Sequence, residues 1–431
     1  MRPNDFSCAG ECARRIIVAG GKPMRAGLRP LLAAFAAAGI GYADEVTNWN
    51  AIAARVAAAA GQNGIVQTRT YAIVQIAVHD ALNAIERRYR PYLLEGRASA
   101  GASPEAAVAA AAHATLTELV GSARSEIENA YQASLAAIAD GSAETAGIAT
   151  GRAAAAAILR RRADDGSAAA TVWSAGVLPG EYRPTPPANA PALLPGWGAV
   201  MPFAVRTIID YRAAPPPDLF SEQYAAELNE VRLVGGEAST ARTSEGSEIA
   251  RYWYEPSAQG WNRIARVVAG QRNQNLWDNA RLFAALNVAM AEGYIAGFES
   301  KYHFNFWRPI TAIREADQDG NIQTEGDATW NSYLVAPAVP DWPSTHSVAG
   351  AAAAAVLARA FATDFVPFEM TSGPPYPDIT RRFYSFSQAA LENAHSRVLA
   401  GIHFRAACLE GFDQGTKLGE YVMDNYFRPM R

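Results

Sequence analysis

The feature that most constrains the fold is a series of alanine-rich segments with helix signals at their ends. The segment 103–120 opens with Ser103-Pro104-Glu105, which supplies an N-cap, a first-turn proline and a first-turn acid. No alternating strand pattern of useful length interrupts the helical periodicity. The sequence therefore predicts an all-α chain, a helical bundle. Beyond 103–120, we predict helices at 49–60, 68–86, 125–139, 142–162, 221–233, 276–304, 343–362 and 385–406.

Prolines are concentrated in one region, between Pro179 and Pro217, which holds ten of the 25 in the chain. Such a density is incompatible with a helix interior. Tyr182, Trp197 and Phe203 are interspersed among these prolines. Because aromatic side chains need apolar surroundings, we predict an ordered loop packed on the bundle. A flexible linker between two domains is the alternative.

The N-terminal segment 1–43 has the layout of a leader rather than of a folded element. A basic stretch from Met24 to Arg29 precedes the apolar run Leu31–Ile40, and small residues follow. This order is typical of a secretory signal peptide, and we predict cleavage before Asp44. Residues 1–23 then form an N-terminal extension, or translation begins at Met24; a twin-arginine signal is the other alternative. The expected location is periplasmic or secreted, with a single domain over 44–431.

Charge and cysteine content exclude several classes of protein. Without residues 1–43 the chain keeps 32 basic and 40 acidic residues, a net charge of −8. That balance offers no basic field for nucleic acid. Cys408 is the cysteine that remains, so no internal disulfide can form within 44–431. No downstream stretch is apolar enough to predict a membrane span.

Three short segments in the last third of the chain carry residues suited to chemistry. The first contains Lys301 and Arg308, seven residues apart, followed by Pro309. On a continuous helix this spacing places both cations on one face, about two turns apart. Considered alone, two such cations are more often part of a solvated helix face. The proline indicates a boundary close to Arg308.

The second segment is Pro343-Ser344-Thr345-His346-Ser347, directly before an alanine-rich run. Proline followed by serine and threonine is a helix-start signal, and the free N–H groups of a helix start bind anions. His346 is expected in the first turn, beside any anion bound there. A plain N-cap with an exposed histidine is the alternative.

The third segment, Ser396–His403, contains Arg397 and His403. Six residues separate the two, which an ideal helix would place roughly 120° apart. They can converge if they flank a cleft or if Gly401 permits a distortion. The other histidines lie outside these three patterns, and we expect structural roles for His79, His113 and His395, and a different direction for His303.

Together, the three segments predict a site for an oxyanion. Arginine side chains bind such an anion with paired hydrogen bonds, and lysine adds a compact charge. One histidine can attack or ligate the central atom while the other gives or takes a proton. Binding alone would need only the cations and the helix-start amides, so a non-catalytic oxyanion-binding protein is a weaker hypothesis.

The order of these residues resembles that of the vanadium-dependent haloperoxidases. It reads Lys, six residues, Arg-Pro; then Pro-Ser-x-His; then Ser-Arg, five residues, His. The acid phosphatases of the type-2 phosphatidic acid phosphatase superfamily share it. The similarity runs from about Leu286 to Gly419 and is weaker over Val78–Leu82. The resemblance implies a helical bundle that holds a vanadate cofactor where the phosphatases hold phosphate.

The resemblance also implies a role for each residue of the motifs. His403 would be the axial vanadium ligand, the counterpart of the phosphatase nucleophile, and His346 the acid–base histidine. The catalytic set would be His346, Lys301 and His403. The residues implied to bind the cofactor are Lys301, Arg308, Ser344, Thr345, Arg397 and His403.

Three positions depart from the family pattern or vary within it. Many relatives have glycine at the position of Thr345, where a backbone N–H contact survives the change, and an aspartate at the position of Ala407. The missing aspartate leaves open which group supports His403. Val339 lies five residues before Ser344, where the family often has phenylalanine in chloroperoxidases and histidine in bromoperoxidases. We therefore expect Val339 to line a halide pocket at the mouth of the site.

The resemblance implies a haloperoxidase that oxidises bromide or iodide with hydrogen peroxide to hypohalous acid. Its partners would be peroxide, a halide and an organic acceptor, and a homo-oligomer is compatible with the sequence. The alternative is a secreted acid phosphatase that forms a phosphohistidine at His403. Phe304–Pro309 and Gly401–Arg405 resemble the bacterial haloperoxidase branch more closely, which favours the first hypothesis.

Overall fold

The structure, a computed structural model, describes residues 44–430. The predicted extension and signal peptide, residues 1–43, lie outside the described residues. The α-helices are α1 Glu45–Ala59, α2 Gly64–Ile85, α3 Pro104–Leu119, α4 Arg124–Ala136, α5 Ser142–Arg162, α6 Glu222–Val234, α7 Ser244–Tyr252, α8 Ser257–Gln271, α9 Leu276–Phe304, α10 Pro309–Arg314, α11 Thr345–Ala360, α12 Phe386–Leu399 and α13 Arg405–Asn425. Four 3-10 turns lie at Gly121–Ala123, Trp197–Ala199, Ile208–Tyr211 and Ala316–Gln318.

The predicted all-α class is confirmed, with one small addition. Strands β1, Phe368–Thr371, and β2, Thr380–Phe383, form an antiparallel hairpin between α11 and α12. The side chains of β1 alternate between buried and exposed. Four residues are too few for this alternation to be distinguished from chance in a sequence. The chain is therefore nearly all α-helical in its regular structure, as the sequence predicts.

Two of the predicted helices have the expected bounds, and one prediction was wrong. The predicted bounds of α5 and α9 match those of the structure. The single helix predicted over 385–406 is instead two helices, α12 and α13, separated by a turn around Gly401. Gly401 has a φ of +76°, a left-handed conformation in which the α-helix cannot continue. The helices α7, α8 and α10 were not predicted.

The long helix α9 lies at the centre of the bundle and packs against α2, α11 and α13. Most of its side chains are buried, including the carboxylate of Glu292. That carboxylate accepts backbone hydrogen bonds from Phe203, Ala204 and Val205 at 2.6–2.9 Å. A buried carboxylate is stable when several N–H groups surround it. Glu292 thereby fixes the end of the proline-rich segment to the central helix.

The proline-rich segment 179–217 also holds two loops that carry site residues. The Tyr182 N–H donates to the Asn305 carbonyl at 2.7 Å, and the Trp307 N–H donates to the Gly180 carbonyl at 2.9 Å. Further along, the Leu193 N–H donates to the Ala338 carbonyl at 2.8 Å. The expectation of an ordered loop packed on the bundle is confirmed.

Helices α11 and α13 approach each other closely because α13 presents a glycine every fourth residue. A Cβ atom at Gly411, Gly415 or Gly419 would lie 2.0–2.5 Å from a backbone oxygen of α11 or of its N-cap. No larger side chain fits at that distance without a shift of the backbone. The close packing brings the first turn of α11 beside the first turn of α13, where the Ser344 N–H donates to the Ala407 carbonyl at 2.9 Å.

Two further features concern the apolar character of the helices and a loop after α10. Within residues 44–430, no helix has both the length and the apolar character needed to cross a bilayer. The run Asp317–Asn321 forms a turn in which the Asp319 carboxylate accepts hydrogen bonds from the Asn321 N–H at 2.7 Å and from the Thr324 hydroxyl at 2.9 Å.

Candidate active site

The structure brings the three predicted segments together where four helix ends meet. Lys301 lies in the last turn of α9, and His346 lies in the first turn of α11. Arg397 lies in the last turn of α12. His403 lies in the turn between α12 and α13, so the separation calculated for a continuous helix does not apply. Residues far apart in sequence thus converge because each stands at a chain reversal.

Lys301 and Arg308 do not share a helix, contrary to the geometry assumed from their spacing. Helix α9 ends at Phe304, and Asn305 adopts a left-handed conformation with a φ of 47°. Arg308 is the N-cap of the next helix, which begins at Pro309. The proline thus marks a boundary, as predicted, and the two side chains approach the site from different elements.

Backbone carbonyls of the loop 337–341 orient two of the cations. The Lys301 ammonium donates to the carbonyls of Pro340 and Asp341 at 2.7 and 2.9 Å. The Arg308 Nε donates to the Val339 carbonyl at 2.8 Å, and its Nη1 donates to the Ile402 carbonyl at 2.7 Å. These bonds fix where the cationic groups lie before any ligand binds.

The three cations are buried with spare hydrogen-bond donors. Lys301 and Arg308 are 0% exposed and Arg397 is 1% exposed. Arg397 Nη1 donates to the Trp253 carbonyl at 3.1 Å. Arg308 Nη2 and Arg397 Nε have no hydrogen-bond partner among residues 44–430. Buried unpaired donors are costly, so this arrangement indicates a place for an anion that would accept from them.

The pKa shifts have the direction expected for buried cations that lie close together. Burial, followed by the nearby Arg308 guanidinium, lowers the pKa of Lys301 well below its usual value. Burial also lowers the pKa of Arg308, and it lowers the pKa of Arg397 to about 10. A bound oxyanion would oppose all three shifts, because an opposite charge favours the protonated form.

His403 lies between a cation and a carboxylate. Its Nε2 is 2.9 Å from Arg308 Nη1, and its Nδ1 is 2.9 Å from Asp341 Oδ1, a short contact that is not aligned as a hydrogen bond. Burial, followed by Arg308 and then Lys301, lowers the pKa of His403 well below its usual value, so the ring is neutral. Since the guanidinium can only donate, Nε2 is the acceptor, and we assign the proton to Nδ1.

His346 is oriented by the Glu255 carbonyl, which is 3.0 Å from its Nε2. Burial, followed by Arg397, lowers the pKa of His346 well below its usual value. A neutral ring that donates from Nε2 has its lone pair on Nδ1. His346 can therefore accept a proton at Nδ1 without losing the bond that orients it.

Ser344 and Thr345 occupy the start of α11, as predicted. Ser344 is the N-cap, and its hydroxyl oxygen accepts from the Ser347 N–H at 3.5 Å. The first N–H groups of the helix have no partner inside it, which leaves them available to an anion. The Thr345 methyl packs against Gly297 of α9, where a Cβ would lie 2.6 Å away.

Val339 reaches the site through its backbone. Its carbonyl accepts from Arg308, whereas its side chain is 4% exposed and packs in the largest hydrophobic cluster of the bundle. The proposed role of the Val339 side chain in halide choice stays a prediction.

Sequence reasoning missed two contributors to the site. Neither Asp341 nor Glu255 was predicted to belong to the site. Asp341 could have been noticed as an acidic residue in the otherwise uncharged run 337–343. Glu255 acts through its carbonyl, which carries no sequence signal, although its carboxylate is fixed by an ion pair with Arg263.

The remaining histidines lie in other surroundings. His79 Nε2 is 3.1 Å from the Arg90 carbonyl, and His113 contacts Glu128 at 2.8 Å. His303 Nε2 is 3.2 Å from Arg212 Nη1. His395 is partly buried, with its Nδ1 3.5 Å from Arg405 Nη2.

The surroundings of His395 predict a loss of stability in acid. Burial, followed by Arg405, lowers the pKa of His395 from 6.5 to about 4. Between these values the unfolded chain binds more protons, so stability rises with pH in this window and is lost as pH falls. We expect the free energy of unfolding to fall between pH 7 and pH 4 by about 3 kcal/mol less in His395→Gln than in the wild type. Urea unfolding at both pH values checks this, and equal falls would contradict it.

Comparisons with known proteins show what the chain is similar to. Residues 281–431 match the family described as the VCPO second helical-bundle domain. The chain is 26% identical over 284 residues to a vanadium chloroperoxidase of Curvularia inaequalis, a match that covers 49% of this chain and 46% of that protein. The chain thus spans about half the length of the curated relative that it matches.

Solved structures extend the likeness to most of the chain. The crystal structure of a bacterial vanadium-dependent iodoperoxidase is similar with a TM-score of 0.78 and 26% identity, covering 90% of this chain and 97% of that one. An apo-type bacterial vanadium-dependent chloroperoxidase shares the fold with a TM-score of 0.69 and 17% identity, covering 84% of this chain and 92% of that one. With the helical bundle and the motif residues gathered at one site, these comparisons support the resemblance of the chain to the vanadium-dependent haloperoxidases.

Proposed function

We propose that this protein is a vanadate-dependent haloperoxidase that uses hydrogen peroxide to oxidise bromide or iodide to hypohalous acid. The observation that carries the proposal is the cluster of three buried cations, Lys301, Arg308 and Arg397, with two neutral histidines beside it. A site of this kind matches a compact oxyanion whose central atom accepts a nitrogen ligand. Likeness to vanadium-dependent enzymes supports vanadate as that oxyanion.

The residues present fit vanadate. Arg308 Nη2 and Arg397 Nε are buried donors with no protein partner in the described part of the chain, and the start of α11 adds N–H groups. Lys301, Arg308 and Arg397 would neutralise the oxyanion, with the Ser344 hydroxyl and the Thr345 N–H completing the cradle. His403 would ligate the metal through Nε2, since Nδ1 carries its proton.

Vanadate, when bound, would supply a Lewis acid that activates peroxide toward attack by a halide. The protein's own contribution is electrostatic and protonic. The three cations hold negative charge in a buried site, where electrostatic interactions are stronger than in water. His346 Nδ1 is available to take or return a proton because the Glu255 carbonyl keeps Nε2 protonated.

Phosphate is expected to compete with vanadate, because both anions would use Lys301, Arg308 and Arg397. Incubating the holoprotein in phosphate should cause a slow loss of bromide oxidation, and adding vanadate should restore it. This exchange, followed by the rate of peroxide-dependent bromide oxidation, tests the proposed function. Activity that is indifferent to phosphate and to added vanadate would point to another cofactor.

Halide choice is proposed to favour iodide and bromide over chloride. Valine at position 339 offers neither an aromatic edge nor a titratable donor for small, strongly hydrated chloride, and chloride is also harder to oxidise. The likeness to a bacterial iodoperoxidase supports the same preference. We expect slow or absent chloride oxidation in the wild type and a changed halide ratio in Val339→Phe. Steady-state rates with each halide check this, with Val335→Phe, at an exposed valine of the same loop, as control.

Efficient chloride oxidation by the wild type would contradict the halide proposal. An unchanged halide ratio in Val339→Phe would show that this position only packs the loop.

The organic acceptor belongs to the same proposal: hypohalous acid, once formed, would halogenate an electron-rich organic compound. Export through the predicted signal peptide would place that chemistry outside the cytoplasm, and N-terminal sequencing of the mature protein for a start at Asp44 tests it.

A further inference from the structure

A buried carboxylate that the family motifs do not contain lies beside the proposed vanadium ligand. Asp341 is 0% exposed, and its Oδ1 is 2.9 Å from His403 Nδ1. The position where many relatives have an aspartate, four residues after the histidine, holds Ala407, which is fully buried and apolar. The carboxylate therefore reaches the histidine from a different element, the loop that precedes α11.

The Asp341 carboxylate has few other polar contacts. Neither carboxylate oxygen has an aligned hydrogen bond to any of residues 44–430, and the nearest cation, Arg308 Nη1, is 3.7 Å from Oδ1. The Asp341 carbonyl, in contrast, accepts from Lys301, and its N–H donates to the Phe306 carbonyl at 2.8 Å. The backbone is thus fixed on both sides, which holds the carboxylate next to His403.

We propose that Asp341 is the positioning residue for His403, and that it replaces the aspartate that Ala407 lacks. The proposal rests on the proposed function. A carboxylate facing Nδ1 keeps the proton there, which fixes the tautomer and places the lone pair on Nε2. It also makes the Nε2 lone pair a more basic ligand for a metal, as carboxylates behind ligating histidines do.

The same short loop performs two tasks in this arrangement. Its carbonyls orient Lys301 and Arg308, and its carboxylate orients His403. The anion-binding cations and the metal ligand are thereby set by one backbone segment, and the loop is held in turn by the proline-rich segment through Leu193.

The first test compares two anions on the apo-protein by calorimetry. Asp341→Asn should weaken vanadate binding by about 10- to 100-fold, the usual effect of losing a group behind a metal ligand. Phosphate affinity should change much less, because phosphorus in a phosphate ion does not expand its coordination to take His403 Nε2 as a ligand. Asp319→Asn, at another buried loop aspartate outside the site, is the matched control and should change neither affinity.

The second test moves the carboxylate. In Asp341→Asn combined with Ala407→Asp, vanadate affinity should recover by at least about 10-fold relative to Asp341→Asn. Residue 407 lies in the first turn of α13, four residues after His403, where an acidic side chain is also favoured by the helix N-terminus. Thermal unfolding shows that each variant is folded before its affinity is compared.

A third measurement does not depend on vanadate. Nitrogen chemical shifts of the His403 ring in the apo-protein, assigned with His403→Ala, should show the Nδ1-protonated tautomer in the wild type and a mixture in Asp341→Asn. Equal changes in vanadate and phosphate affinity, no recovery in a folded double variant, or an unchanged tautomer would each overturn the proposal. If wild-type protein binds vanadate no more tightly than phosphate, the proposed function fails, while the tautomer still decides the role of Asp341.

Discussion

Replacing His403 with alanine is expected to abolish halide oxidation and to weaken vanadate binding by more than the roughly 100-fold that loss of a supporting group costs. The reason is that His403 Nε2 is the proposed protein ligand to vanadium, and its lone pair faces Arg308 within the cation cluster. The cations that remain can still hold an anion by charge alone. Phosphate binding should therefore persist in this variant, and calorimetric titrations with both anions measure the difference.

The control for His403→Ala is His113→Ala. His113 lies on α3 and contacts Glu128, far along the chain from the motif residues. Its replacement should leave both anion affinity and halide oxidation at the wild-type level. If His403→Ala kept wild-type vanadate affinity, His403 would not be the ligand.

Replacing His346 with alanine is expected to lower kcat for halide oxidation by about 100- to 10,000-fold, the usual effect of losing a general acid or base. Vanadate affinity should change much less, because His346 donates to the Glu255 carbonyl and its other nitrogen is assigned to proton transfer rather than to metal binding. Steady-state kinetics with saturating vanadate, combined with a vanadate titration, separate the two effects.

The contrast between the two histidine variants is the informative result. His403→Ala should lose the cofactor, whereas His346→Ala should keep the cofactor and lose turnover. The lowered pKa of His346 means that the ring is neutral near pH 7, and a bound oxyanion would make it easier to protonate. Equal loss of vanadate in both variants would contradict this division of roles.

The sequence predicted the members of the site better than it predicted their geometry. Residue type and order identified Lys301, Arg308, His346, Arg397 and His403, because an oxyanion site needs those groups whatever elements carry them. The helix predicted over 385–406 failed because apolar periodicity continues through Gly401 although the backbone does not. A glycine in an alanine-rich pattern is compatible with either outcome, and tertiary contacts decide between them: a Cβ at Gly401 would lie 2.1 Å from the Gly235 carbonyl.

Groups that act through folding of distant segments could not be found from the sequence. Asp341 lies 62 residues before His403 in the chain, and nothing in its local pattern indicates that the two meet. The roles of the Val339, Pro340 and Glu255 carbonyls cannot be predicted from residue type, since every residue has a backbone carbonyl. The fold supplies these groups because the proline-rich segment and α9 hold the loop in place.

The most direct test of the central claim is a vanadate titration of the apo-protein in which bound vanadate, bromide oxidation and phosphomonoester hydrolysis are all measured. The proposed function predicts that bromide oxidation rises in proportion to bound vanadate and levels off at one vanadate per chain. The opposite result would be hydrolysis of the phosphomonoester by the apo-protein, inhibited by vanadate, with no halide oxidation at any vanadate concentration. That outcome would show that His403 forms a phosphohistidine and that the site is a phosphatase site.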